Sequence, residues 1–200
     1  MDKGLKGEDA RRLSEHLLEL YFKTQDYPYT RHHIESYDQF LSQDLQAIVR
    51  AQNPILLLHG APIAGTKHYE YKAEIFIGGF DGSRLYIGSP TISLQDSKEV
   101  RLLFPNEARL RNLNYAALVE ADIVVRLTFT APNPSGRGVV SREVILEGKG
   151  DEPTYKYLQK FPLFKIPIML HSKYCLLNGK PQAFLKEVGE CQYDHGGYFI

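Results

Sequence analysis

Apolar and polar positions alternate with two different periods along this chain. In residues 7 to 24 the leucines at 13, 17, 18 and 20, with Tyr21, recur at helical spacing between charged positions, which predicts a short amphipathic helix that packs on something. After the breaker Pro28, Thr30 is placed to cap a second helix reaching about Arg50, with Ile34, Tyr37, Leu41, Leu45 and Ile48 in one stripe that Phe40 and Val49 widen. Beyond Pro54 the period shortens to two. Residues 69 to 77 and 84 to 92 read as strands joined by the turn GGFDGS, a hairpin candidate. In VEADIVVRLTFT the side chains of Val119, Ala121, Ile123, Val125, Leu127 and Phe129 share one face, which predicts a single half-buried antiparallel strand. Across the loop APNPSGRG it should pair with VVSREVILE. A short polar stretch, 148 to 153, follows. Pro162 and Pro167 confine FPLFKIPIML to a sheet edge or to irregular extended chain, MLHSKYCLL alternates like a strand, and residues 181 to 188 offer a further short helix. With no repeat, linker or low-complexity run, the pattern is that of one α+β domain, N-terminal helices followed by a mostly antiparallel sheet.

Composition narrows the function classes. Lys plus Arg and Asp plus Glu are both 24, so the chain as a whole has no basic surplus with which to hold a phosphate backbone, and any contact with nucleic acid must be local. Two cysteines, Cys175 and Cys191, point to a reducing compartment rather than a disulfide scaffold, with a single bridge still open. The first residues lack an apolar core of the signal-peptide kind, and runs such as 55 to 58 are far too short to span a bilayer, so no membrane role is expected.

Two stretches have chemical appeal. HGAPIAGTKH, residues 59 to 68, spaces Gly60 and Gly65 like a phosphate loop. Its order is Thr66-Lys67 where Lys then Ser or Thr is needed, and a period-two segment follows where a helix should begin. The alternative is a loop between strands. His171 and Cys175, with Cys191 and His195, repeat one spacing twice and supply the four ligands of a tetrahedral zinc site. The alternative there is a small buried cysteine with solvent-facing histidines. No Gly-x-Ser-x-Gly elbow, no His-Glu-x-x-His and no clustered carboxylate set is present, so no catalytic residue is assigned.

Five ordered blocks carry more information than these motifs. HHIESYDQFLSQDLQAIV (32 to 49), RLYIGSPTI (84 to 92), LFPNEARLRNLNYAA (103 to 117), FKIPIMLHSKYCLL (164 to 177) and GECQYDHGGYFI (189 to 200) resemble consecutive stretches of the second-largest subunit of multisubunit DNA-directed RNA polymerases, in the wording of the eukaryotic, archaeal and large-DNA-virus branch. The resemblance covers residues 30 to 200 and leaves 1 to 29 as a variable N-terminal helix. It implies the protrusion, one wall of the DNA cleft, within a nucleotidyltransferase that extends RNA on a DNA template from nucleoside triphosphates. It implies also that the catalytic magnesium is held by the largest subunit and that this segment binds no cofactor itself. The implied partners are that subunit and the other polymerase subunits, the DNA template, the RNA-DNA hybrid and initiation factors. The implied location is the nucleus for a cellular eukaryote, and the host cytoplasm or virion for a large DNA virus.

Arg109, Arg111 and Lys165 are the nucleic-acid-proximal candidates. If 107 to 111 is extended, Glu107, Arg109 and Arg111 project from one face, either paired among themselves and their neighbours or offered to phosphate. The chain departs from the resembled pattern at Gln192, where proline is usual, and at His171, where arginine is usual, which weakens any fixed positive charge there. Its last residues, GGYFI, read as glycines that open a strand which the chain does not complete.

Overall fold

The computed structural model describes residues 7–63, 68–93, 99–133, 138–148 and 155–200. Helix α1, Gly7–Thr24, forms where the leucine spacing places it and is reinforced by the i,i+4 pairs Arg11–Glu15 and Lys23–Glu19. It buries none of its residues. The expectation that it packs on something is therefore not met among the described residues, where Leu13, Leu17, Leu18 and Leu20 stay 42–60% exposed.

The second predicted helix is continuous but irregular, running as α2 (Arg31–Gln39), a π turn (Phe40–Asp44) and α3 (Leu45–Gln52). Ile34, Leu41 and Leu45 are buried, while Ile48 faces outward and Val49 takes the half-buried position. The π turn inserts one residue into the spacing and so rotates the stripe. Thr30 does not cap by its side chain; its hydroxyl donates instead to the carbonyl of His195 at 2.7 Å, fastening this helix to the far end of the chain.

Two four-stranded antiparallel sheets follow. The first has the order β1-β2-β6-β7, with β1 at Ile55–Pro62, β2 at Tyr69–Ile77, β6 at Ile123–Pro132 and β7 at Val139–Glu147. The second has the order β4-β3-β5-β8, with β3 at Leu85–Ser93, β4 at Val100–Leu102, β5 at Ala116–Ala121 and β8 at Phe161–Pro167. The β6–β7 pairing matches the sequence reading, and β8 is an edge strand, as its prolines require.

The other strand expectations need correction. β2 and β3 are not a hairpin: β2 lies between β1 and β6, and β3 between β4 and β5. Nor is 119 to 130 a single strand. It breaks at Asp122, whose carbonyl accepts from the amides of Gly78 and Gly79 at 2.8 and 3.2 Å and whose carboxylate accepts from the amide of Lys160 at 3.0 Å. The chain crosses between the sheets three times, from β2 to β3, from β5 to β6 and from β7 to β8, and these bonds tie all three crossings to this joint. The break also slips the buried face by one position, from Ala117, Val119 and Ala121 in β5 to Val124 in β6. Residues 59 to 62, which the sequence offered as part of a loop, belong instead to the edge strand β1 with Gly60 in it; residues 64–67 of the phosphate-loop candidate, and 149–154 of the polar stretch, lie outside the described residues.

The core gathers under the second sheet, where Tyr115, Val119, Ile168 and Leu170 meet Leu41, Ala108 of helix α4 (Pro105–Leu110) and Leu185 of helix α5 (Gln182–Glu187). This is an α+β fold. Residues 198–200 add no strand to either sheet, but two backbone bonds fasten them to the core: the Tyr115 amide donates to the Ile200 carbonyl at 3.2 Å and the Leu170 amide to the Tyr198 carbonyl at 3.0 Å. Gly196 and Gly197 enter this segment with φ of 64° and 79°, and a Cβ on Gly196 would sit 2.7 Å from the Leu170 carbonyl oxygen, so both glycines answer a steric demand.

Candidate functional site

Pro105 is the reason the segment carrying Glu107, Arg109 and Arg111 is not extended. Its fixed φ suits the first turn of a helix, and α4 starts on it. A helical path turns Arg109 away from Glu107 and Arg111, with which an extended path would have aligned it.

Glu107 and Arg111 stand one turn apart and pair at 2.9 Å, and Arg101 of β4 closes on the same carboxylate, with one bond at 2.8 Å. Hydrogen bonds from Arg101 and then Arg111 hold the Glu107 carboxyl below the usual carboxylate range. This exposed group sets two guanidinium cations against one carboxylate. Arg111 and Arg101 keep nearly half of their side-chain surface in solvent.

Arg109 points elsewhere. Its guanidinium reaches Glu190 at 3.0 Å, Asp194 at 3.4 Å and the Tyr198 hydroxyl at 2.8 Å, and that hydroxyl in turn donates to Asp194 at 2.6 Å. The Asn106 amide, in the first turn of α4, donates to the other oxygen of Glu190 at 2.5 Å, and the Gly196 amide donates to Asp194 at 2.9 Å. Burial, with the Asp194 carboxylate beside it, pushes the Tyr198 phenol up. Here one cation faces two carboxylates, and Glu190 is buried. Of the two readings open for these charges, the ion-paired network is the one the geometry forms. Arg109 is a clamp between α4 and residues 190 to 198, with both of its terminal nitrogens bonded inside the protein.

Lys165 lies apart from both arginines. It sits exposed on β8 and borders a hollow of about 710 Å³ with Thr91, Ser93, Leu103, Leu113 and Asn114. Among the described residues no carboxylate lies within ion-pair distance of it.

The four zinc-candidate residues are not brought together as ligands. MLHSKYCLL is no strand: β8 ends at Pro167 and a run of turns takes over, with His171 at φ 64°. His171 is buried and stacks on Tyr27 at 4.4 Å, which corrects its reading as solvent-facing; burial lowers its pKa, partly opposed by Asp194. Cys175 is buried against the Tyr115 hydroxyl at 3.6 Å, whereas Cys191 is exposed and unbridged. His195 is exposed and meets Tyr27 and Tyr29 edge-on. Among the described residues no three His, Cys, Asp or Glu side chains are grouped to hold a metal ion.

Comparison with known proteins decides the lineage of this arrangement. The sequence profile described as RNA polymerase beta subunit matches residues 28–200. The chain belongs to the RNA polymerase beta subunit family. It is 31% identical over 170 residues to the DNA-directed RNA polymerase II subunit RPB2 of Encephalitozoon cuniculi, covering 85% of this chain and 13% of that protein. It is 30% identical over 174 residues to the archaeal subunit Rpo2N of Methanothermobacter thermautotrophicus, covering 87% of this chain and 26% of the relative. A probable RPB2 homologue of Invertebrate iridescent virus 3 aligns over 201 residues at 25% identity, covering all of this chain and 14% of that protein. The chain thus spans a small part of the length of these relatives. Both charge clusters, the buried turn at His171 and the Tyr115 core lie within the family match, while α1 precedes it.

Sequence reasoning singled out Arg109 and Arg111 and offered Glu107 as a partner, which Arg111 takes, but missed what Arg109 binds. Glu190 and Asp194 lie 81 and 85 residues from Arg109, beyond the reach of any local pattern. Arg101 carried no signal at all, because its role depends on β4 folding back beside α4.

Proposed function

We propose that this chain is the N-terminal protrusion portion of the second-largest subunit of a DNA-directed RNA polymerase, a scaffold and cleft wall in an enzyme that extends RNA on a DNA template from nucleoside triphosphates. The match over residues 28–200 carries this reading. The catalytic magnesium and its ligands belong, on this reading, to the largest subunit; the present residues build and position. The other polymerase subunits, the template, the hybrid and initiation factors are its partners, and its compartment follows its genome, nuclear for a cellular eukaryote, cytoplasmic or virion for a large DNA virus.

The cation-rich group Arg101–Glu107–Arg111 is the better phosphate contact than Arg109, because its two guanidinium groups outnumber their carboxylate and remain exposed. Lys165, without an ion partner among the described residues, is the other candidate. The chain is net neutral and has no clustered carboxylate set for catalytic metals, so the 200 residues alone should neither synthesise RNA nor bind DNA tightly at physiological salt.

The test is to tag the full-length subunit containing this chain and purify what accompanies it. Co-purification of a largest subunit, with magnesium-dependent RNA synthesis on a DNA template, is the expected result. A tagged subunit that purifies alone, or DNA binding by the isolated chain at micromolar affinity that survives high salt, would overturn the reading.

A further inference from the structure

Asn178-Gly179 is the one Asn-Gly step in the chain, and the fold places it in the middle of a tight turn. The Lys180 amide donates to the Leu177 carbonyl at 3.2 Å across it, and Gly179, third of the four residues, takes a φ of 64°, as glycine does at that position. Asn178 and Gly179 are both exposed. Open space surrounds the point where a Cβ on Gly179 would stand. Among the described residues the Gly179 amide donates no hydrogen bond, and the Asn178 side chain makes none.

The side-chain carbonyl of an asparagine is open to attack by the amide nitrogen of the next residue when that nitrogen is unbonded and no Cβ shields it. The other asparagines each lack one of these conditions. Asn53 and Asn133 precede prolines, which have no amide hydrogen to give up. The amides after Asn112 and Asn114 are engaged, Leu113 with the Ala108 carbonyl at 2.8 Å and Tyr115 with the Ile200 carbonyl at 3.2 Å. Asn106 stands in the first turn of α4, followed by Glu107, whose side chain is held by two arginines. The related step Asp81-Gly82 is closed as well: the Gly82 amide donates to the Gly79 carbonyl at 3.2 Å, and the Asp81 carboxylate accepts from the Ser83 amide at 3.2 Å.

We propose that Asn178 is a site of spontaneous covalent modification, converting to aspartate and isoaspartate in the folded subunit. The Gly179 nitrogen gives its proton to hydroxide and bonds to the side-chain carbonyl carbon of Asn178. The bond from that carbon to its own amide nitrogen breaks, and ammonia leaves with a proton taken from water. Water then opens the succinimide ring so formed. Opening at the side-chain carbonyl gives aspartate; opening at the backbone carbonyl gives isoaspartate, in which the main chain runs through the former side chain. No oxidant or reductant takes part. Either product adds a negative charge at a hollow of about 350 Å³ that Asn178 lines with Asp26, Glu35, Asp38 and the buried His171. The one arginine there, Arg31, is already paired with Glu35 at 2.6 Å, so the new carboxylate arrives without a free counter-charge among these neighbours.

The experiment incubates the full-length subunit, as it purifies, near neutral and at mildly alkaline pH. Residue 178 is followed by peptide mass spectrometry and by methyl transfer from an isoaspartate-specific carboxyl methyltransferase. A capped synthetic peptide of residues 176 to 182 sets the rate the sequence has when no fold holds it. Position 178 should convert to both acids, at a rate within about tenfold of the peptide's and about tenfold or more above that of Asn112 and Asn114. The rate should rise in proportion to hydroxide. Gly179→Ala should slow it about tenfold in subunit and peptide alike, because a Cβ then crowds the attacking nitrogen. A rate at 178 less than about tenfold above that of Asn112 and Asn114, or more than about tenfold below the peptide's, would overturn the inference. So would a rate that Gly179→Ala leaves unchanged, or methyl transfer that persists at this position in Asn178→Gln.

Discussion

Arg109→Ala separates a structural clamp from a surface charge. The substitution leaves Glu190, whose side chain is 3% exposed, with the Asn106 amide as its remaining hydrogen-bond donor. Breaking a buried ion pair from one side costs about 3–5 kcal/mol. Arg109 keeps a third of its side-chain surface in solvent, and the retained Asn106 bond shelters part of the carboxylate charge, so the expected loss is about 2–3 kcal/mol. Arg111→Ala removes an exposed i,i+4 pair and should cost about 0.5 kcal/mol. The assay is urea unfolding followed by circular dichroism, since the chain has no tryptophan to report fluorescence. In a chain of this size the Arg109 loss corresponds to a melting temperature lower by about 4–12 °C. Adding Glu190→Gln to Arg109→Ala should recover about 1 kcal/mol, because a neutral amide can accept from Asn106 without a counter-charge. If Arg109→Ala and Arg111→Ala cost the same, or if Glu190→Gln deepens the Arg109→Ala defect, the clamp is not what the geometry implies.

Three further outcomes follow from the same part of the molecule. Tyr115→Phe removes the hydroxyl that accepts from the Leu176 amide at 3.0 Å inside the core, and should cost about 1–2 kcal/mol in the same unfolding assay. Gly196→Ala, at φ 64° and against the Leu170 carbonyl and the His171 ring, should cost about 1 kcal/mol or more, whereas Gly179→Ala, also at positive φ but with open space around it, should cost less. His171 holds its proton less tightly when folded, chiefly through burial, so its share of stability is complete above the unfolded value of about 6.5 and is lost as pH falls through that value towards the folded pKa. A thermal scan between pH 7.5 and 5 should therefore show a steeper decline for the wild type than for His171→Asn, a residue that tolerates the same backbone angle, and parallel curves would refute the assignment.

The sequence disclosed what depends on neighbours along the chain and concealed what depends on the fold closing. Helix spacing located α1 at both ends, Gly7 and Thr24, and the prolines of β8 announced an edge. Sheet membership was not legible, because the alternation on either side of Asp122 continues smoothly while the chain passes from one sheet to the other; the joint is marked by tertiary bonds to Asp122, among them those from Gly78, Gly79 and Lys160. The same blindness affected the candidate site. Arginines at alternate positions look equivalent until Pro105 starts a helix; Glu107 then reaches Arg111 within one turn, while Arg101, Glu190, Asp194 and Tyr198 enter only through tertiary contact.

That distinction bears on how the motif around α4 divides its labour. A guanidinium that already satisfies Glu190, Asp194 and Tyr198 cannot turn to a phosphate without uncovering a buried carboxylate, a cost of the order of 2–3 kcal/mol against the about 1 kcal/mol or less that a screened phosphate contact at the surface returns. Arg101 and Arg111 face no such penalty, since the Glu107 they share is itself partly exposed and either can swing out while the other stays. Arg109 fixes the chain end against α4, and the exposed pair is left to meet whatever runs past it. Neutralising Arg101 and Arg111 together should therefore weaken DNA retention by the assembled enzyme, in a salt-dependent way, at nearly unchanged stability. Neutralising Arg109 should instead lower stability at nearly unchanged salt dependence.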